Sequence, residues 1–311
     1  MRLRSARARW LVVAGLVLAL AALPLLGATA PSSVPARAAA PGNGPTADHE
    51  RWALIVGITD YAGRTASTAA GAADAADFRE MLLRNGFAPD HIVTLTEREA
   101  TAGSIRNGLQ WLVDRSSPNS FSVFHYSGHV KQIGGDRDRD GEKLDEYLWP
   151  YDNRFIADAE LADYSRRLEG LAWIDIAGCE AAGFDDGISG PQRLFTASSR
   201  ENEKSYENPE WNNSVFVGLQ IDQAFLQGLG DGDGNGKVSI QEAFAFAAER
   251  APQVTRRQKR GAQNPVGAGG EGPQWFLDGP PPPPPPPPSS APPPSGGGSG
   301  GGKCQQLLGC N

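Results

Sequence analysis

Cys179 and His129 are the two residues whose types and spacing could support covalent chemistry. Cys179 follows an apolar run at 171–176, and His129, which lies 50 residues before it, follows another at 120–126. A thiol becomes an effective nucleophile only where a neighbouring base raises its thiolate fraction. Such residues can meet when each lies at the carboxyl end of a neighbouring parallel strand, where open α/β sheets bind ligands. The alternative is a small buried cysteine and a loop histidine without a chemical role.

The segments around this pair alternate between strand and helix patterns. Apolar runs predict strands at 52–57, 91–96, 120–126, 171–176, 194–197 and 274–277. Helix signals predict helices at 68–84, 101–114, 158–168, 213–229 and 240–250, and the acidic segment 131–151 is expected to be irregular. This alternation indicates an α/β domain whose mainly parallel central sheet is covered by helices on both faces.

The first 40 residues have the composition of a secretory signal peptide. They hold five arginines and no acid around an apolar stretch at 10–26, which two Ala-x-Ala sequences follow. An uncleaved membrane anchor is the alternative, because 17 apolar residues could just span a bilayer. Cleavage predicts a secreted or cell-envelope protein without stable membrane insertion. Its net charge would be −12 in place of −7, which argues against nucleic acid or an anionic membrane as partner.

The rest of the chain divides into one domain and a low-complexity end. Residues 41–49 are expected to be a short linker, and 50–278 one compact domain large enough for a hydrophobic core. Residues 279–303 are rich in proline and then in glycine and serine, and the nine prolines at 280–288 predict a stiff spacer about 28 Å long. In the tail, 304–311, an exported protein would pair Cys304 with Cys310. A disordered tail with free or intermolecularly paired cysteines is the alternative.

Five stretches resemble one known family. The strand that ends in Phe124-His125-Tyr126-Ser127-Gly128-His129 resembles the histidine strand of caspase-like cysteine peptidases, in particular the bacterial relatives of metacaspases. The segment 174–184, which includes Cys179, resembles their nucleophile strand and the glycine turn after it. The stretches 52–57, 145–152 and 196–207 also agree with the family. The resemblance covers about residues 50–278 and implies a caspase-like three-layer α/β/α sandwich.

The resemblance also implies a cysteine-type endopeptidase that cuts polypeptides without a catalytic cofactor. Cys179 would attack the peptide carbonyl as a thiolate, and His129 would protonate the leaving amine. The backbone N–H groups of Cys179 and Val130 would face the developing oxyanion. Relatives usually have glycine after the histidine and Asp-Ala before the cysteine, where this chain has Val130 and Ala177-Gly178.

The resemblance assigns a substrate-binding role to Asp74. In relatives, the aspartate before the cysteine helps to hold a basic side chain at P1, the residue that precedes the scissile bond. Asp74 matches a second acid of that pocket and could hold the cation alone, which favours cleavage after Arg or Lys. Asp74 could equally be a solvated acid in the first turn of a helix. His125 is expected to be a packed core histidine, because the family pattern selects His129.

Residues 231–242 match a twelve-residue EF-hand calcium loop. Oxygen-bearing side chains occupy positions 1, 3, 5 and 9, glycine occupies position 6, and a glutamate occupies position 12. The predicted Ca²⁺ ligands are Asp231, Asp233, Asn235, Lys237, Ser239 and Glu242. The ion could be structural or regulatory, and a plain acidic turn is the alternative. A second run at 136–141 has half of the pattern, with Tyr147 where the glutamate should be.

Two other functions remain open at this stage. Val130 and Ala177-Gly178 are compatible with a degenerate relative that binds peptides or proteins without cutting them. The proline-rich segment is compatible with a calcium-stiffened module tethered at a surface.

Overall fold

The fold is organised around a six-stranded sheet in which helices connect most of the strands. The structure is a computed structural model that describes residues 44–135, 137, 141, 143–185 and 187–279. The predicted signal peptide, nearly all of the low-complexity segment, the tail with Cys304 and Cys310, and most of the acidic run at 136–141 lie outside the described residues. The boundaries expected for the domain stay predictions.

The secondary structure begins at Glu50 and ends at Gly269. The strands are β1 Glu50–Gly57, β2 Ile92–Thr96, β3 Ser120–Ser127, β4 Val130–Gly134, β5 Leu144–Leu148, β6 Ile156–Ala157, β7 Leu171–Ala177, β8 Arg193–Ala197, β9 Glu207–Asn208, β10 Asn213–Ser214 and β11 Val266–Gly269. The helices are α1 Gly71–Arg84, α2 Ala102–Arg115, α3 Asp158–Arg167, α4 Val215–Val217 and α5 Ile240–Arg257, and a π-helix at Gly218–Leu226 continues α4.

The central sheet has the strand order β11-β8-β7-β3-β1-β2. All neighbouring pairs are parallel except β11 and β8, which are antiparallel. The register aligns Ser127 at the end of β3 with Gly57 on one side and Ala177 on the other. The segments that follow β3 and β7 therefore leave the sheet side by side at its carboxyl edge.

Helices cover both faces of this sheet, as expected for a three-layer α/β/α sandwich. Side chains of α1, α5 and the α4 region pack with Ile55, Val123 and Trp173 on one face. Side chains of α2 and α3 pack with Leu54, Phe124 and Ile174 on the other. Because alternate residues of each strand point to opposite faces, strands buried on both faces are apolar throughout.

Three of the predicted elements differ from the observed ones. The last strand is β11, and the strand predicted at 274–277 is wrong. That segment is irregular, and its apolar side chains, including Trp275, fill the core while the Trp275 carbonyl accepts a hydrogen bond from the Ile240 N–H. The segment expected to be irregular contains the hairpin of β4 and β5. The segment 213–229 was predicted as one helix. In the structure it begins with the strand β10, and its helical part ends at Leu226.

Among the helices of the described residues, none combines the length and the apolar composition needed to cross a bilayer.

Candidate active site

A cavity of about 250 Å³ at the carboxyl edge of the sheet is lined by both Cys179 and His129. His129 follows β3 and Cys179 follows β7, and these two strands are parallel neighbours in the sheet. The sequence prediction that the two residues converge at this edge therefore agrees with their placement. Within the described residues no hydrogen bond joins the thiol to the imidazole, which is common for catalytic pairs in substrate-free proteins.

The backbone of His129 is held on both sides by tyrosine hydroxyl groups. Its N–H donates to Tyr61 Oη at 2.7 Å, and its carbonyl accepts from Tyr126 Oη at 2.6 Å. Burial raises the pKa of Tyr61 to about 12, so its hydroxyl stays protonated at neutral pH. Gly128 is required here, because a Cβ at this position would lie 2.6 Å from the hydroxyl oxygen of Tyr61 and 2.9 Å from that of Tyr126.

The imidazole of His129 is oriented by a backbone carbonyl. Its Nε2 lies 2.8 Å from the carbonyl oxygen of Ala66. A carbonyl only accepts hydrogen bonds, so Nε2 carries the proton and Nδ1 of the neutral ring is the available base. The rings of Tyr61 and Trp149 pack beside the imidazole, with centroids 4.8 and 5.7 Å from it. Ala66 and Tyr61 were not identified from the sequence, and a backbone carbonyl leaves no sequence signal.

Cys179 lies at a sharp turn after β7. The next residue, Glu180, adopts a left-handed conformation with φ of 52°, and its carboxylate pairs with Lys204. Burial raises the pKa of the Cys179 thiol, and the carboxylates of Glu180 and Glu207 add to this effect. The backbone of Ser205 and the ammonium group of Lys204 oppose it. The thiol is therefore mainly protonated at neutral pH unless a base removes its proton.

Two backbone N–H groups near the cysteine are free of acceptors within the described residues. The N–H of Cys179 makes no hydrogen bond there. Trp149 N–H donates to the His129 carbonyl at 3.1 Å, so the neighbouring pair of Val130 and Leu148 is of the non-hydrogen-bonded type. The N–H of Val130 consequently points away from β5. These are the two groups that the sequence analysis assigned to an oxyanion.

Val130 and Gly178, which both depart from the family pattern, are in direct contact. A Cβ built on Gly178 would lie 2.7 Å from Cγ2 of Val130 and 3.0 Å from the carbonyl oxygen of Gly128. The side chain of Val130 thus fills the space that an alanine at 178 would need. The two departures form one complementary pair rather than two independent losses.

Asp74 is buried behind the cavity rather than exposed on its wall. Its carboxylate accepts hydrogen bonds from Ser127 Oγ at 2.6 Å, Ser214 N at 3.0 Å and Asn213 Nδ2 at 3.1 Å. Burial raises the pKa of Asp74 to about 6, against the opposing effect of these hydrogen bonds. The alternative of a solvated acid is therefore wrong. Ser127 and Ser214, which bond to Asp74, line the cavity themselves.

Glu207 is an acidic residue of the cavity wall that the sequence analysis left without a role. Its Oε1 accepts from the N–H groups of Ala69 at 2.5 Å and Ala70 at 3.0 Å, just before α1. In the part of the chain that the structure describes, it forms no ion pair. The sequence signal was weak, because Glu207 lies 28 residues after the cysteine in a polar stretch.

His125 lies in the core, as the sequence predicted. Its Nδ1 is hydrogen-bonded to Asp175 Oδ2 at 2.7 Å, and its ring stacks on Phe78 with centroids 4.1 Å apart. Asp175 also accepts from Thr196 Oγ1 at 2.5 Å. These residues are buried, and His125 does not line the cavity.

The loop at 231–242 gathers three of the predicted metal ligands. Ligand oxygens of Asp231, Asp233 and Glu242 all lie within 4.8 Å of one another. Ser239 is the N-cap of α5 and Glu242 completes its capping box. The ammonium group of Lys237 turns away to Asp278, so this residue could offer only its backbone carbonyl. Asn235 Oδ1 accepts from Lys237 N at 2.9 Å. An all-oxygen donor set fits a hard cation such as Ca²⁺.

Residues 51–175 match the family model described as "Metacaspase, peptidase C14 domain". Metacaspase-1 of Lodderomyces elongisporus is 35% identical over 125 residues, which cover 36% of this chain and 28% of that protein. Metacaspase-3 of Arabidopsis thaliana is 33% identical over 114 residues, which cover 33% of this chain and 30% of that protein. The chain thus spans less than a third of the length of these relatives.

The fold also occurs in a solved structure, that of protein GSU0716 from Geobacter sulfurreducens. The TM-score is 0.55 at 18% identity, and the match covers 71% of this chain and 94% of the other. At this identity the likeness concerns the fold alone. The sequence matches, the mainly parallel sheet and the order of the motifs agree with one another. Together these findings support a caspase-like cysteine peptidase family for this chain.

Proposed function

We propose that this protein is a cysteine endopeptidase in which Cys179 is the nucleophile and His129 the acid–base residue. The observation that carries the proposal is the shared cavity at the ends of β3 and β7, lined by both side chains. The Ala66 carbonyl supports it, because it holds the Nε2 proton and leaves Nδ1 of His129 as a base.

The chemistry proceeds in two stages. His129 Nδ1 takes the thiol proton, and the Cys179 thiolate attacks the peptide carbonyl to form a tetrahedral intermediate. The N–H groups of Cys179 and Val130 stabilise its oxyanion, and one such donor typically contributes a factor of about 10² to 10³ in rate. The imidazolium then protonates the leaving amine. In the second stage the same imidazole activates a water molecule, which hydrolyses the thioester.

We propose cleavage after Arg or Lys. Asp74 supports this preference through Ser127, whose hydroxyl donates to the buried carboxylate and so presents lone pairs to the cavity. A cationic side chain in the cavity would donate to these lone pairs. Asp74 thus acts behind the wall, rather than by direct contact with the cation.

We also propose export, and a Ca²⁺ site at 231–242 in which Asp231, Asp233 and Glu242 are the principal ligands. The ion would supply a link between the loop and the first turn of α5, where Glu242 lies. Glu242 Oε1 also accepts hydrogen bonds from the N–H groups of Gly232 and Asp233 at 3.1 and 3.3 Å, which draws the loop toward this carboxylate.

Labelling with a mechanism-based inhibitor tests the peptidase. The purified protein is treated with an Arg or Lys peptide fluoromethyl ketone, and the adduct is mapped by mass spectrometry. We expect an adduct on Cys179 that His129→Ala abolishes in a still-folded protein. The raised pKa of the Cys179 thiol favours the second candidate, a peptide-binding domain without activity. A folded protein that binds the peptide but leaves Cys179 unlabelled would decide for that candidate.

Thermal unfolding with and without calcium tests the metal site. We expect Ca²⁺ to raise the Tm of the wild type relative to EGTA, and Glu242→Gln to abolish the shift. Glu249→Gln is the matched control, because Glu249 is an exposed acid of α5 outside the loop. An equal Ca²⁺ shift in wild type and Glu242→Gln would exclude this loop as the site.

A further inference from the structure

Gln263 is a fully buried glutamine that lies outside the cavity. It precedes β11, and the antiparallel pairing of Val266 with Ala197 carries the segment before β11 alongside the loop that follows β8. This loop, residues 198–206, joins β8 to β9. A carboxamide both donates and accepts hydrogen bonds, and a buried one that makes none is costly. The partners of Gln263 therefore indicate what it holds in place.

The carboxamide of Gln263 connects the two ends of the loop 198–206. Its Nε2 donates to the Ser198 carbonyl at 3.1 Å and to Ser205 Oγ at 3.3 Å, and its Oε1 accepts from the Tyr206 N–H at 3.0 Å. Both the donor and the acceptor of this side chain are therefore engaged with one loop. An apolar residue of the same length would fill the space but would leave the two ends of the loop unconnected.

The loop in turn contacts the turn that carries the nucleophile. The N–H of Gly178, which directly precedes Cys179, donates to Ser198 Oγ at 3.0 Å. The carbonyl oxygen of Ser205 lies 3.9 Å from the sulfur of Cys179. The two residues that accept from Gln263 Nε2 are thus the same two that contact the sulfur and the residue before it.

Glu180, directly after Cys179, also depends on this loop. Its φ of 52° is left-handed, and a non-glycine residue keeps such a conformation only where its surroundings enforce it. The loop supplies the contacts: the Glu203 carbonyl accepts from the Glu180 N–H at 2.8 Å, and the Lys204 ammonium group pairs with the Glu180 carboxylate. The backbone around the nucleophile is therefore set by the position of the loop.

We propose that Gln263 is a positioning residue for Cys179, which fixes the loop 198–206 and through it the backbone turn and the sulfur of the nucleophile. The inference rests on the proposed peptidase function and adds a residue that touches neither the substrate nor the reacting atoms. The alternative is a core residue whose hydrogen bonds serve stability alone. The two roles differ in the folded protein, because only a positioning residue changes the nucleophile's turn while the rest of the domain stays intact.

Amide hydrogen exchange followed by NMR tests the link between Gln263 and the nucleophile's turn. At a temperature well below the Tm of each variant, we expect Gln263→Met to accelerate exchange of the Glu180 N–H by about tenfold or more. The amides of α2 should exchange as in the wild type, which shows that the domain as a whole has not loosened. Exchange at Glu180 that matches the wild type overturns the proposal.

Gln220→Met is the matched control for this substitution. Gln220 is also fully buried, but its carboxamide makes no hydrogen bond to any residue that the structure describes. We expect the variant to leave exchange at Glu180 unchanged. If Gln263→Met does not fold, Ser205→Ala decides instead, because it removes one contact of the same amide. It should accelerate exchange at Glu180 in the same direction, and an unchanged rate there overturns the proposal.

Peptide hydrolysis separates this proposal from the peptidase function. In an active wild type we expect Gln263→Met to lower kcat by roughly 10²-fold with KM changed less than about threefold, because its contacts place the sulfur rather than the substrate. Gln220→Met should stay within about twofold in both constants. An unchanged kcat in Gln263→Met overturns the positioning role. If the wild type cuts no peptide but exchange at Glu180 still responds to Gln263→Met, Gln263 positions the thiol and the peptidase function fails.

Discussion

The contact between Val130 and Gly178 allows a quantitative prediction of the unfolding free energies in a double-mutant cycle. In Gly178→Ala the new Cβ would lie 2.7 Å from Val130 Cγ2, against 3.4–4 Å for an ordinary van der Waals contact. An overlap of this size in a buried site should cost about 1–3 kcal/mol of unfolding free energy. Val130→Gly removes a buried side chain and adds backbone entropy to the unfolded state, which should cost about 2–4 kcal/mol.

The double variant should be less destabilised than the two single costs together imply. Removing the Val130 side chain eliminates the main clash, so we expect a coupling energy of about 1–2 kcal/mol in favour of the pair. The rate at which Cys179 is labelled should change in parallel, because Gly178 directly precedes Cys179. Gly178→Ala should slow inhibitor labelling of Cys179 by roughly 10²-fold, and Val130→Gly in the same chain should recover most of it.

The assay is urea unfolding of all four proteins, combined with the labelling rate of Cys179. Gly134→Ala is the control, because a Cβ at Gly134, which lies on the same strand as Val130, meets no atom within 4 Å. The reasoning is refuted if the double variant loses the same unfolding free energy as Gly178→Ala and Val130→Gly together, to within about 0.3–0.5 kcal/mol. The two departures would then be independent, and the degenerate-relative hypothesis would gain support.

Three further predictions concern groups around and beneath the cavity. Tyr61→Phe leaves the half-buried N–H of His129 without its acceptor, at a stability cost of about 1–3 kcal/mol. We expect kcat for peptides to fall more than tenfold with KM little changed, and an unchanged kcat would exclude a positioning role. Asp74 has a folded pKa of about 6 against 3.8, so its contribution to stability is largest below pH 4 and decreases by about 3 kcal/mol as the pH rises to above 6. Thermal unfolding from pH 4 to 7 should show this loss in the wild type and not in Asp74→Asn, and parallel curves would contradict it. Asp175→Leu removes the partner of buried His125 and should cost about 3–5 kcal/mol in urea unfolding; adding His125→Phe should recover part of this, and no recovery would count against the hydrogen bond as the cause.

Prediction from the sequence was most accurate where a single local pattern decides the structure. Buried parallel strands must be apolar on both faces, so the runs at 52–57, 120–126 and 171–176 were identified as strands. It failed at 274–277, because a segment that fills the core without pairing has the same apolar composition as a strand. It also missed β4 and β5, whose pairing depends on contact between segments that look polar in isolation.

Sequence alone determined that this chain forms a mainly parallel α/β domain with Cys179 and His129 at strand ends. The spacing of the hydrophobic residues and the order of the predicted elements carry this information, because both can be read from residues that are neighbours in the sequence. Only the tertiary structure decided that Asp74 is buried, that the Val130 side chain fills the space beside Gly178, and that Glu207 shares the cavity with the cysteine. Each of these depends on atoms brought together from segments 28 or more residues apart, and no local pattern encodes such distances.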